Sequence, residues 1–155
     1  VRIKERYWMY FGEGVIWIAT SEDGVHWRSS RDWVVLRPRQ GFFDSTLVEP
    51  GPPPLVLKDG SILLIYNGAD ENRIYSVGWA LFSPEDPTKL IGRAQNPILT
   101  PETPWERGYY RGHRIGQTEN VVFAEGLVFF RNRWLLYYGA SDTFVCVATV
   151  FGSLM

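Results

Sequence analysis

Polar side chains interrupt apolar stretches of this 155-residue chain at three places, and each is a candidate for acid–base or hydrogen-bonding chemistry. The first is residues 43–54 (FDSTLVEPGPPP), where Asp44 and Glu49 precede a cluster of prolines. Proline disfavours a central strand, so we predict a rigid loop that holds the two carboxylates at a fixed separation. Turn chemistry alone, with Asp44 capping its own backbone, is the alternative.

The second place is residues 66–73 (YNGADENR), which follow an apolar stretch. Asn67 begins the polar part, and its side-chain amide offers both donors and an acceptor, which suits the hydroxyl groups of a sugar. The charged residues after it, 70–73, are predicted to form an exposed loop.

The third place is residues 117–126 (QTENVVFAEG), together with Asp142 after a later strand. Glu119 and Asn120 precede an apolar run, and Glu125 interrupts that run. We expect Glu125 either at a hairpin turn before Gly126 or directed into a polar cavity. Carboxylates of this kind can act in pairs, since glycoside hydrolysis needs one protonated carboxyl group as acid and one ionised group as base or nucleophile.

Other chemistries find little support in the sequence. No Gly-rich phosphate-binding loop and no Cys/His cluster with metal spacing occurs, so we expect neither a cofactor nor a metal site. The 16 Lys and Arg nearly balance the 17 Asp and Glu, which gives no sign of a nucleic-acid or membrane-surface partner. No signal-peptide or membrane-spanning segment is predicted, and we expect a cytoplasmic location.

The elements that position these side chains are predicted to be β-strands. Three apolar strands share a Tyr-x-Gly ending, at residues 8–12 (WMYFG), 64–68 (LIYNG) and 135–139 (LLYYG), and a second strand follows each. Glycine and proline punctuate the chain, and helical periodicity is nearly absent. A recurring sheet unit with loop insertions is typical of propeller blades, so the predicted fold class is all-β.

At these residues the sequence resembles glycoside hydrolase family 130, the β-mannoside phosphorylases and related β-mannosidases. The matching segments occur in the order of the family and are residues 7–12, 43–45, 51–54, 66–69, 120–126 and 137–142. The resemblance implies a five-bladed β-propeller. Residues 1–155 would form one partial propeller domain of two and a half to three blades.

The resemblance also implies roles for individual side chains. The candidates to position water are Glu49 and Glu119, and the candidates to bind sugar are Asp44, Asn67, Asn120, Glu125 and Asp142. The proton-donating Asp of the family lies upstream of every matched segment, so whether this chain alone is an enzyme is left open.

Two departures from the phosphorylases favour a hydrolase-like chain. Leu47 stands where the phosphorylases carry a lysine that helps to hold phosphate, and Asn67 stands where they usually carry histidine. Losing both a cation and an imidazole weakens a dianion site, and Glu49 adds a charge that repels phosphate.

The expected ligand is an oligosaccharide of the β-mannoside type. An open arc of blades would expose sheet edges and apolar faces, so we expect a homo-oligomer or a part of a longer parent chain. The alternatives are a non-catalytic carbohydrate-binding or vestigial propeller module that acts as an oligomer, and a purely structural scaffold.

Overall fold

Fourteen strands and one short helix make up residues 1–151, the part of the chain that the computed structural model describes. In chain order they are β1 (Arg2–Ile3), β2 (Arg6–Phe11), β3 (Ile16–Ser21), β4 (Arg28–Leu36), β5 (Leu47–Pro50), β6 (Leu55–Val56), β7 (Ile62–Ala69), β8 (Tyr75–Phe82), β9 (Leu90–Arg93), α1 (Pro104–Arg107), β10 (Tyr109–Tyr110), β11 (His113–Arg114), β12 (Val122–Phe130), β13 (Arg133–Ala140) and β14 (Phe144–Phe151). The predicted all-β class is confirmed. Within these residues, no helix is long and apolar enough to cross a membrane.

Three antiparallel sheets follow one another along the chain. The first sheet has the strand order β1-β2-β3-β4. In the second sheet β5 and β6 both pair with β7, which is followed by β8 and β9. The third sheet has the order β12-β13-β14, and β10 and β11 form a separate two-stranded hairpin before it.

The second sheet lies between the other two, and strand β7 shows why. All eight of its residues are buried, so both faces of the strand are covered. Because side chains alternate along a strand, Leu64 and Tyr66 pack with Tyr10 of the first sheet, whereas Leu63 and Ile65 pack against the third sheet. Burying one such side chain contributes about 1.5–3 kcal/mol to the free energy of folding. Each of the two interfaces between sheets is therefore a separate hydrophobic core.

The Tyr-x-Gly repeat marks equivalent strands, as the sequence predicts. Tyr10, Tyr66 and Tyr137 lie on β2, β7 and β13, each the central strand that pairs with the strand before it and the strand after it. The side chains do not all point the same way. Tyr10 and Tyr66 share one core cluster, whereas Tyr137 lies on the face of the third sheet turned away from the second. The repeat therefore predicts the position of the strand in its sheet, but not the sheet face on which the tyrosine side chain lies.

One predicted loop is a strand. Leu47–Pro50 forms β5, which pairs with β7 from Leu47 opposite Ala69 to Pro50 opposite Tyr66. The prediction of a rigid loop was wrong for these four residues, because the proline cluster begins only at the strand end. At the edge of a sheet the missing N–H of proline costs no ladder hydrogen bond.

An apolar face remains uncovered on the third sheet. Its residues alternate with those that pack on the second sheet, and the exposed members are Val128, Phe130, Tyr137, Val145 and Val147. We call this set the outer face. Large exposed apolar patches are a common feature of protein interaction surfaces.

Candidate functional site

The turns that follow the Tyr-x-Gly strands bring carboxylates toward one end of the sheets. The β2–β3 turn carries Glu13, and the equivalent β13–β14 turn carries Asp142. Gly12 beside Glu13 has a φ of 122°, and a Cβ there would lie 2.3 Å from the Trp17 ring, so this turn requires glycine. The turn is fixed to the second sheet by the Val48 N–H, which donates to the carbonyl of Gly14 at 3.1 Å.

Strand β5 places Glu49 beside this turn, and Tyr75 begins β8. Burial raises the pKa of Tyr75, and the charges of Glu49, Glu13 and Asp142 raise it further. Burial also raises the pKa of Glu49, with Glu13 adding to the effect. Three carboxylates from three sheets thus act electrostatically on one phenol. We call Glu13, Glu49, Tyr75 and Asp142 the rim cluster.

Glu49 is the carboxylate of the rim cluster whose surroundings raise its pKa. A partly buried carboxyl group near a like charge keeps its proton to higher pH than an isolated one, which suits general acid–base work. Asp142 is exposed, at a φ of 52°, so its carboxylate is open to a ligand. Among residues 1–151, no three His, Cys, Asp or Glu side chains are grouped so as to hold a metal ion.

Asn67, predicted to bind sugar, has no polar atom left for one. Its Nδ2 donates to the carbonyl of Ala124 at 3.2 Å, and its Oδ1 accepts the N–H of Ala124 at 2.7 Å. The residue is fully buried. The amide thus has a structural role here, and sugar binding by Asn67 stays a prediction. Strand β12 is an edge strand of the third sheet, and β13 does not pair with the backbone N–H and carbonyl of Ala124. The Asn67 side chain satisfies both of these groups.

Asp44, another candidate to bind sugar, is also fully buried. One oxygen, Oδ2, accepts hydrogen bonds from Arg39 (2.9 Å), Arg93 (2.6 Å) and the Tyr66 hydroxyl (2.6 Å). The other, Oδ1, accepts from Arg39 Nε at 3.2 Å. Its role toward a sugar likewise stays a prediction. The Arg39 and Arg93 guanidinium groups and the Tyr66 phenol hold the carboxylate inside the protein, where it ties the segment before β5 to β7 and β9.

The remaining predicted residues lie in and around the start of β12. Glu125 is exposed at a β-bulge, where the pairing with β13 shifts between Ala124 and Gly126, and not at a hairpin turn. Asn120 has a φ of 56°, and its carbonyl accepts the N–H of Tyr75 at 3.0 Å. Glu119 is exposed and accepts the Tyr109 hydroxyl at 3.0 Å. Its partner is thus the β10–β11 hairpin rather than the rim cluster.

A family model described as beta-1,4-mannooligosaccharide phosphorylase, glycoside hydrolase family 130, matches residues 1–155. The chain belongs to glycoside hydrolase family 130. The family membership predicted from the sequence is therefore confirmed.

The chain is also similar to individual proteins. A 1,2-beta-oligomannan phosphorylase from Thermoanaerobacter sp. (strain X514) is 39% identical over 133 residues, which are 86% of this chain and 42% of the relative. A crystal structure from Parabacteroides distasonis ATCC 8503, described as a glycoside hydrolase, superposes with a TM-score of 0.89 at 39% identity and covers 99% of this chain and 46% of that one.

A further family 130 structure bears on the reaction. It was reported with the finding that this family of mannoside phosphorylases contains glycoside hydrolases that target β-1,2 mannosidic linkages in Candida mannan. It superposes with a TM-score of 0.84 at 35% identity, over 99% of this chain and 47% of that one. The chain therefore spans less than half the length of these relatives.

Two members of the rim cluster of this family 130 chain were missed from sequence. Glu13 occupies the turn after the first Tyr-x-Gly strand, and applying to the first repeat the logic that selected Asp142 in the third would have found it. Tyr75 gave no signal, because a tyrosine that begins an apolar strand reads as a core residue.

A second missed carboxylate, Glu106, has a structural role. It is buried at the end of α1, and it accepts the N–H groups of Thr103 (2.7 Å) and Glu102 (2.8 Å) and the Tyr138 hydroxyl (2.6 Å). Burial opposes ionisation, but these hydrogen bonds together lower the pKa of Glu106 below its usual value. Glu106 fixes the segment before β10 to the third sheet.

Proposed function

We propose that this chain forms the sugar-binding half of a β-mannoside-cleaving site in which water, rather than phosphate, receives the glycosyl group. The three sheets are then three blades of a five-bladed propeller, and blades outside this chain complete both the ring and the site. The relatives supply the substrate class, since those named act on mannosides or oligomannans.

The observation that carries the proposal is the charge of the rim cluster. Every charged group that perturbs the pKa of Tyr75 is a carboxylate, from Glu49, Glu13 and Asp142. A phosphate dianion entering this region would meet like charges, whereas a neutral water molecule and sugar hydroxyls find hydrogen-bond acceptors. The two positions that depart from the phosphorylases also support water as the acceptor. Leu47 is apolar, and the amide of Asn67 is buried against Ala124.

The roles of the cluster follow from exposure and charge. Asp142 accepts hydrogen bonds from the hydroxyls of the bound sugar. Glu49, with its raised pKa, takes a proton from the attacking water, whose oxygen bonds to the anomeric carbon as the glycosidic bond breaks. The leaving oxygen needs a proton from an acid that the other half of the site supplies.

Calorimetric titration of the purified chain with β-1,2-mannobiose and, separately, with inorganic phosphate tests this proposal. We expect saturable disaccharide binding in the millimolar range, because half a site leaves one face of the sugar in water, and no saturable phosphate binding. Asp142→Asn should weaken disaccharide binding at least fivefold, whereas the matched change Asp32→Asn, on the exposed strand β4, should not. Phosphate binding that is as tight as disaccharide binding would contradict water as the acceptor.

A second candidate function is a non-catalytic carbohydrate-binding module that acts as an oligomer. The exposed outer face of the third sheet favours it, because such a surface can join copies of the chain. The two candidates differ in one result. Adding the separately expressed N-terminal half of the Thermoanaerobacter relative should restore mannobiose cleavage if this chain is half of an enzyme, and only binding should persist if it is a module.

A further inference from the structure

The β10–β11 hairpin carries an aromatic ring that the core does not use. Tyr109 is 41% exposed. Its hydroxyl donates to Glu119 Oε1 at 3.0 Å, and this hydrogen bond raises the pKa of Tyr109. The bond holds one edge of the ring in place and leaves the ring exposed. A solvent-exposed aromatic side chain that is held in one orientation loses little conformational entropy when a ligand stacks on it.

The other side of the hairpin is stabilised separately. The rings of Trp105 and Tyr110 stack at 5.8 Å and 15°, and the Arg111 guanidinium lies over Tyr110 at 5.1 Å. These contacts leave the Tyr109 ring out of the stack. Because neighbours in a strand point to opposite faces, the Trp105–Tyr110 stack supports the hairpin from one face and Tyr109 stands on the other.

The base of the hairpin is fixed against the turn that carries Asp142. Ser141 Oγ donates to the carbonyl of Trp105 at 2.5 Å, and Gln117 N–H donates to the carbonyl of Ser141 at 3.0 Å. Gly108 packs so closely that a Cβ there would lie 3.4 Å from Ser141 Oγ and 2.5 Å from the carbonyl of Thr118. The φ of Gly108 is 78°, which also requires glycine.

The contact between Gly108 and Ser141 brings the backbone at Tyr109 into the neighbourhood of the backbone at Asp142. Each directly follows one member of the Gly108–Ser141 contact, and consecutive Cα atoms are about 3.8 Å apart. A short oligosaccharide is long enough to reach from one to the other. A pyranose ring presents an apolar face of C–H groups that stacks on an aromatic ring, and its hydroxyls remain free for charged neighbours.

We propose that Tyr109 is a stacking residue for an outer pyranose of an oligosaccharide whose inner unit is held at Asp142, and that Glu119 is its positioning residue. This inference rests on the proposed function and names a second sugar subsite within it. Glu119 then acts through Tyr109 and has no part in positioning water.

The test compares affinities for β-1,2-mannotriose and β-1,2-mannobiose by NMR titration of the purified chain. Stacking of one sugar on one ring should make the trisaccharide bind about 3- to 10-fold more tightly. Tyr109→Ala should abolish this length preference and leave disaccharide affinity unchanged. Tyr109→Phe and Glu119→Gln keep the ring but free its edge, and both should reduce the preference without abolishing it.

Tyr137→Ala is the matched control, since it removes an equally exposed (41%) tyrosine ring from the outer face of the third sheet. It should leave the length preference intact. Equal affinity of the wild-type chain for both sugars would overturn the inference while the proposed function stands. Failure to bind either sugar would overturn the proposed function, and the inference with it.

Discussion

The side-chain amide of Asn67 hydrogen bonds to both backbone polar groups of Ala124, at 2.7 and 3.2 Å. It joins β7 of the second sheet to β12, an edge strand of the third, by the same kind of hydrogen bonds that a neighbouring strand would make. An edge strand with unpaired N–H and C=O groups invites pairing with other chains, and this amide occupies those groups at one position. The contact explains why a polar residue stands in an otherwise apolar strand.

Replacing Asn67 by Ala should lower the free energy of unfolding by about 2–5 kcal/mol. The change strips partners from a buried N–H and a buried carbonyl, each of which costs about 1–3 kcal/mol when left unsatisfied. Urea denaturation followed by tryptophan fluorescence measures the loss. Asn72→Ala in the exposed β7–β8 turn is the control and should have little effect, and an equal loss in both variants would refute the sheet-joining role.

Asp44→Asn should destabilise the protein by about 3–5 kcal/mol, because it leaves the guanidinium groups of Arg39 and Arg93 facing a neutral amide in a buried site. The same denaturation experiment applies, with Asp32→Asn at an exposed position of β4 for comparison. If Asp44 were instead a sugar ligand, the variant would keep its stability and lose only affinity for mannosides.

Glu106→Gln should cost about 1–3 kcal/mol at pH 7, since a charged acceptor of three hydrogen bonds becomes neutral. The pKa of Glu106 is lowered on folding, so its ionised form contributes stability above pH 4.5, the ordinary value for a glutamate, and this contribution is lost as the pH falls through the lowered pKa. The difference between wild type and variant should therefore shrink in acid.

Thermal unfolding of both proteins between pH 7 and pH 3 measures this dependence. Glu102→Gln, an exposed neighbour, serves as the control and should show no such trend. A gap between wild type and Glu106→Gln that stays constant across the range would mean that shape, and not charge, sets the contribution of Glu106.

The outer face of the third sheet should make the chain self-associate. Val145 is 85% exposed there and Val147 is 48% exposed, which is unusual for strand valines in a monomer. Sedimentation velocity across a concentration series should show reversible association. Val147→Lys should weaken it at least tenfold, whereas Val25→Lys, in the exposed turn after β3, should not. A wild-type chain that stays monomeric at the highest concentration would contradict this expectation.

The sequence predicted the strands well because their signals are local. Tyr-x-Gly endings and alternating apolar residues specify strands and turns within a few positions, which is why β2, β7 and β13 emerged correctly. Strand β5 was missed because the prolines that follow it carry a strong local signal against strands. A four-residue edge strand is specified by its partner more than by its own residues.

The site was harder to predict because its partners are distant in sequence. Asp44 meets Arg93, which is 49 residues away, and Asn67 meets Ala124, which is 57 residues away. A polar residue amid apolar ones looks functional until such a partner is known. Asp142 was selected from a local signal, since it follows directly from the end of β13, where polar side chains reach solvent.

Binding without cleavage is the behaviour that most directly distinguishes half of a mannoside-cleaving site from a complete one. The purified 155-residue chain should be saturated with β-1,2-mannobiose, with binding monitored by NMR, while free mannose and mannose 1-phosphate are quantified by anion-exchange chromatography. We predict saturable binding and no product above the buffer control, with or without phosphate. Under the proposed division of the site, the positioned acid that contributes about 10²- to 10⁴-fold comes from the other half. Steady release of mannose that Glu49→Gln abolishes would contradict this account and show that the chain carries a complete active site.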